Sequence, residues 1–164
     1  MPLVDVRVEV PEGAASDARR AEWRIATAEL RRYAVFLFPG VADPWILHVH
    51  VASGDIALSA VREHDGAPLL ALTVPDGLLL PAVAAYVDVV RRLHDAGPGA
   101  APEQIAALDA QKRAAHDAGA GALGRALPPL GADHETLRRL FSLLVSVRLD
   151  TTRLFGVFGH RPVR

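Results

Sequence analysis

Cysteine is absent, which removes disulfides, thiolate nucleophiles, iron–sulfur clusters and cysteine-based zinc sites together. Lysine is almost absent: of 18 basic residues all but Lys112 are arginine. With alanine and glycine abundant, that bias reads as GC-rich bacterial coding, and it leaves basic side chains that can grip a carboxylate bidentately. Neither sign of charge is in excess, the net charge being −1, so electrostatics recommend neither nucleic acid nor anionic lipid as a partner. Aromatic residues make up only 5% of the chain and do not interleave with basic ones, which argues against a platform for single-stranded nucleic acid. No run of about 18 apolar residues is present, so no membrane span is expected. Asp5, Arg7 and Glu9 interrupt the first apolar residues, so no secretory leader is expected either, and a cytoplasmic location fits. Phosphate-binding loops, His-Glu-x-x-His helices and nucleophile elbows are also missing, and no cofactor is expected.

What remains is a soluble, globular balance of 51% hydrophobic and 23% charged residues over 164 positions, enough to bury one core. Val4, Val6, Val8 and Val10 alternate with Asp5, Arg7 and Glu9, the mark of a half-buried strand. Ser16 or Asp17 can cap a helix running to about Tyr33. Val35 to Phe38 is too short to separate strand from buried connector. Trp45–Ala52, Ile56–His64 and Pro68–Val74 read as three strands joined by Ser53-Gly54-Asp55 and Asp65-Gly66, links short enough to make neighbours antiparallel. A helix is expected from near Pro81 to His94, another from Pro102 through about Leu127, and a last one after Asp133 with the strongest apolar pattern. The fold class expected is α+β: an antiparallel meander of three to four strands, with about four helices packed mainly on one face. Residues 1–149 form one domain in this reading, and residues 150–164 are a C-terminal extension whose Leu154, Phe155, Val157 and Phe158 alternate with glycine.

Two places carry chemically capable side chains. In the strand Trp45 to Val51, alternation sets Trp45, Leu47, Val49 and Val51 on one face and Ile46, His48 and His50 on the other. The ordinary reading is a polar strand face; two imidazoles at this spacing also suit acid–base work, or a shared metal for which spacing names no third ligand. In the helix from Pro102, a rotation of about 100° per residue brings Asp109, Lys112 and His116 into one sector. Arg113 has Asp109 and Asp117 four residues away on either side, a ladder that ordinarily stabilises a wet helix face. His116 lies at the border of the packing face, where a satisfied structural histidine and a cleft-facing base are both compatible with the pattern. Arg138-Arg139 and Arg91-Arg92 are wet faces or, alternatively, anchors for carboxylate or phosphate. Gly119-Ala120-Gly121-Ala122-Leu123-Gly124 matches a dinucleotide-loop spacing but follows a helix rather than a strand, so close packing of another segment is the better reading.

Pro102-Glu103-Gln104-Ile105, Leu108-Asp109, Arg113, His116-Asp117, Gly119 and, further on, Asp133, Thr136 and Arg138-Arg139-Leu140-Phe141 resemble the bacterial uncharacterised protein family numbered 0262. Glu22, Ala26, Glu29-Leu30, Phe36 and Leu47-His48 extend the resemblance over nearly the whole chain up to about Leu149. The resemblance implies no activity, but it raises His48, Arg113, His116 and Asp117 above other polar residues. The chain also departs from the family pattern. Ala118 stands where a glutamate is usual before the glycine, and Gln111 and Ala114 stand where glycines flank the basic pair. A lysine usual in the preceding helix is missing, and His50 is not part of the pattern. This marks the chain as a divergent member.

The functional expectation is a small-molecule enzyme or binder with a cleft between the wet strand face and the helix from Pro102. In it His48, His116, His50 and Asp117 would do acid–base work, while Arg113, Arg139 and Asp109 would hold the substrate. The alternative, from another class, is a non-catalytic homo-oligomer or partner-binding protein that associates through Phe155, Val157 and Phe158.

Overall fold

The computed structural model describes residues 3–37, 42–52 and 55–149, with the backbone alone for Ala52 and Asp76. Strand β1 (Leu3–Glu9) leads into helix α1 (Asp17–Tyr33), followed by β2 (Trp45–Ala52), β3 (Asp55–Arg62) and β4 (Pro68–Val74). Helix α2 (Asp76–Ala96), helix α3 (Pro102–Ala126), a 3-10 turn over Pro128–Leu130 and helix α4 (His134–Arg148) complete the order. The α+β class and the β2–β3–β4 meander are as expected. The sheet is mixed, however, not wholly antiparallel: its order is β1-β2-β3-β4, and β1 runs parallel to β2. The cause is the long helix between them. A tight turn reverses a chain, whereas the α1 crossover returns it to the starting end, so the next strand runs in the same sense.

Register decides which sheet face is covered. Val6 lies beside Leu47 and Val8 beside Val49; across the next pair Leu47 meets Ala60, Val49 meets Leu58 and Val51 meets Ile56. These residues join helix side chains such as Leu30, Val83, Tyr86, Leu140, Phe141 and Leu144 in one apolar cluster. Arg7, Glu9, His48 and His50 occupy the opposite face.

Helix α4 is the centre of the helical layer. Leu137, Leu140, Phe141 and every residue from Leu143 to Val147 are buried. Its ends are anchored by side chains. At the N-terminus, the Asp133 carboxylate accepts from Thr136 N–H at 2.7 Å, and the buried Thr136 hydroxyl oxygen accepts from Val35 N–H at 2.7 Å. At the C-terminus, Arg19 donates to the carbonyls of Ser146 and Val147 and Trp23 Nε1–H donates to Ser146, satisfying acceptors that a helix end leaves open. The segment around Phe36 is a connector that makes a single bridge to Ala132. Gly131 makes this approach possible: it holds φ +53°, and a Cβ there would lie 2.4 Å from the Leu37 carbonyl oxygen.

Helix α2 begins at Asp76, ahead of the start expected near Pro81, which falls inside it. Proline there removes the donor for the Gly77 carbonyl, at an exposed turn where water can substitute. No helix among the described residues is long and apolar enough to cross a membrane. Phe38 and the extension with Phe155, Val157 and Phe158 lie outside the described residues.

Candidate functional site

Helices α3 and α4 pack through small residues. A Cβ on Gly119 would lie 2.3 Å from the Phe141 ring, and one on Gly124 would lie 3.1 Å from a Leu137 methyl. The glycines of the apparent dinucleotide motif sit inside α3, and two of them, Gly119 and Gly124, form a seat for α4. Phe141, lodged against Gly119, turns its ring edge-on to His116 with 5.6 Å between centroids. Tyr86 of α2 meets the same imidazole edge-on at 5.2 Å. His116 is thus clamped by rings from two other helices.

The remaining freedom of that imidazole is removed by Ser142 on α4. Its hydroxyl donates to the Arg138 carbonyl at 3.1 Å, a partner that can only accept. Ser142 Oγ also lies 3.1 Å from His116 Nδ1, a hydrogen bond whose direction follows the tautomer of the ring. With the Ser142 hydrogen on the Arg138 carbonyl, the neutral ring carries its proton on Nδ1; Nε2 has no hydrogen-bond partner among the described residues. Burial holds the His116 pKa below the usual histidine value, and the neighbouring charges of Lys112 and Arg138 push it further down against the opposing pull of Asp117.

His116 lines two cavities at once. An outer basin of about 400 Å³ is walled by Glu29, Asp109, Lys112, Arg113, His116, Glu135, Arg138, Arg139 and Ser142. An inner pocket of about 270 Å³ lies between Ile25, Ala26, Tyr86 and Val145, and shares Glu29, Lys112, His116 and Ser142 with the basin. Asp109, Arg113, His116 and Arg139, all read as site residues, are brought together here. Asp117 is not in the wall but steers it: its Oδ1 lies 3.1 Å from His134 Nε2 and 3.2 Å from Arg138 Nε. The Arg113 ladder expected along α3 is accordingly not formed. Asp117 is drawn across to α4, and Arg113 makes no ion pair with a described residue. Arg138 is also engaged by Glu135 at 3.1 Å, and Arg139 lies over the Tyr33 ring.

His48 and His50 are elsewhere. His48 Nδ1 lies 2.6 Å from Glu9 Oε1, and His50 Nδ1 lies 3.7 Å from Glu9 Oε2, a cluster set up by the parallel pairing of Glu9 with His50. Neither histidine lines the cavities at His116, whose walls come from helices alone. The cleft expected between β2 and α3 is therefore replaced by a groove among α1, α2, α3 and α4. The physical reason is burial: the helices cover the Trp45–Leu47–Val49 face, and alternation puts His48 on the other. Among the described residues no group of three or more His, Asp or Glu is arranged to hold a metal ion.

Ser142, Glu29 and Tyr86 were not among the expected site residues. Ser142 could be found as the residue one helical turn beyond Arg138, on the same face of α4. Glu29 stands in the family pattern but nothing local ties it to His116, and Tyr86 carries no such signal; both enter through helix packing. No curated protein and no solved structure matches the chain. The pattern of the uncharacterised protein family UPF0262 matches residues 3–150, and the chain belongs to that family.

Proposed function

We propose that this protein binds a small anionic molecule in the groove at His116, with Nε2 of that residue as the group that exchanges a proton with the ligand. The observation that carries this reading is the held ring: His116 is clamped by Tyr86 and Phe141, its Nδ1 is engaged by Ser142, and Nε2 is left without a hydrogen-bond partner among the described residues in a side chain that lines two cavities. Such pre-organisation is costly to build and is what proton transfer at a fixed geometry requires. The basin supplies the countercharge: Lys112, Arg113 and Arg139 form no ion pair with a described residue, although the Arg139 charge is felt by Asp133, and Glu29 and Asp109 likewise form none.

An anion next to Nε2 favours the imidazolium, so binding takes up a proton. Affinity for inorganic phosphate, measured by calorimetry, is expected to rise as pH falls from about 7.5 to 6, beyond the change that phosphate's own titration produces in a buffer control. His116→Gln is expected to abolish the excess pH dependence. Binding that is indifferent to both the substitution and pH, or no binding at all, would remove the basis for this assignment.

A further inference from the structure

Resting on the reading above, we infer that the ligand is amphipathic: a phosphate or carboxylate head held in the outer basin, joined to a compact apolar body of about one ring that enters the inner pocket. The two cavities differ in character. The basin wall is almost entirely charged, with His116 and Ser142 as its uncharged members. The inner pocket presents mainly apolar surface, from Ile25, Ala26, Val145 and the Tyr86 ring, although Glu22 and Ser146 also line it. Lys112 and His116 belong to both walls, so a molecule spanning the two would pass Nε2 at the junction of head and body.

Three observations favour a body over a second polar group. Ile25, 66% exposed, adds an aliphatic side chain to the wall of the inner pocket beside Ala26 and Val145. Tyr86 is buried, and burial raises the pKa of its hydroxyl, which marks that end as poorly hydrated. A space of about 270 Å³ is slightly below the usual range for drug-sized ligands and suits a fragment of one. For the head, Arg138 is spent on Asp117 and Glu135, leaving Lys112, Arg113 and Arg139 as the grip.

The test uses the full chain and five probes: inorganic phosphate, phenyl phosphate, acetate, phenylacetate and neutral benzyl alcohol. Calorimetry gives affinities, and the His116 ring resonances report the place of binding. Phenyl phosphate or phenylacetate is expected to bind at least about tenfold more tightly than its head group alone, a difference of about 1.4 kcal/mol. Benzyl alcohol is expected to bind at least about tenfold more weakly than the better of the two. Ala26→Phe, which fills the inner pocket, is expected to erase the advantage of the ring while leaving inorganic phosphate unaffected. Ile25→Ser, at an exposed position that leaves the core intact, is expected to reduce that advantage about threefold. Equal binding of the head groups with and without the ring, still shifting His116, would overturn the apolar body and leave the anion site standing. Benzyl alcohol matching the charged probes would overturn the anionic head. Probes that bind without moving His116 would overturn the site itself.

Discussion

The two histidine regions of this protein hold the same side chain under opposite constraints. At His116 the flanking rings come from buried aromatics on two other helices, and Ser142, itself within hydrogen-bond reach of the Arg138 carbonyl, engages Nδ1. At His48 and His50 the rings share one carboxylate, Glu9, itself about half exposed on an uncovered sheet face. The close contact, 2.6 Å, goes to His48, and His50 is left at 3.7 Å with a side chain 54% exposed. A short contact is therefore a poor guide to which histidine is pre-organised. What separates the two is how many independent elements restrict the ring.

Substitutions that break this contrast should differ widely in effect. Phe141→Ala removes a fully buried ring and the edge contact to His116, and is expected to cost about 3–5 kcal/mol in chemical denaturation. Gly119→Ala would set a methyl 2.3 Å from the Phe141 ring, so the ring must shift to admit it. An overpacking cost of about 1–3 kcal/mol is expected, reduced by up to about 1 kcal/mol from the better helix propensity of alanine. Its His116 resonances should move even where stability changes little. Ser142→Ala should cost about 1 kcal/mol and, more tellingly, should let the neutral ring populate both tautomers, visible in the ¹⁵N shifts. Glu9→Gln should be the mildest, within about 1 kcal/mol of the parent protein, because the pair it weakens is solvated. A loss at Glu9 as large as that at Phe141 would erase the distinction between the two regions.

How far each region could be read from residues alone follows from the range of the forces involved. The helix over Pro102–Ala126 is legible because its start, its breaker-free run to Gly119 and its polar sector are local properties. So are the Asp133 cap and the β2–β3–β4 meander, fixed by short links. The parallel placement of β1 depends on where a 17-residue helix returns the chain, which alternation within the strand does not encode. The same limit explains the site. Asp109, Lys112, Arg113 and His116 share a helix face and can be grouped by rotation, but Ser142, Glu29 and Tyr86 come from three other helices. Asp117 has the right spacing for Arg113, yet His134 and Arg138 across the α3–α4 contact compete for it and win. The separation of His48 from His116 was nonetheless latent in the strand itself. Trp45, Leu47, Val49 and Val51 make the more apolar face, the helices cover it, and a histidine on the other face cannot join a helix-walled groove.

The central claim is that His116 is a neutral, Nδ1-protonated base held ready in the groove, and ring-nitrogen NMR across a pH titration tests it most directly. Because the folded-state pKa is lowered, the unfolded chain binds more protons between that value and about 6.5. The contribution of His116 to stability is therefore present above about pH 6.5 and is lost as pH falls through the folded pKa. The spectrum is expected to show the Nδ1–H tautomer at about pH 7.5 and protonation only below about 6.5, with Ser142→Ala relaxing the tautomer preference. An Nε2–H tautomer, or protonation above about 6.5, would contradict the account.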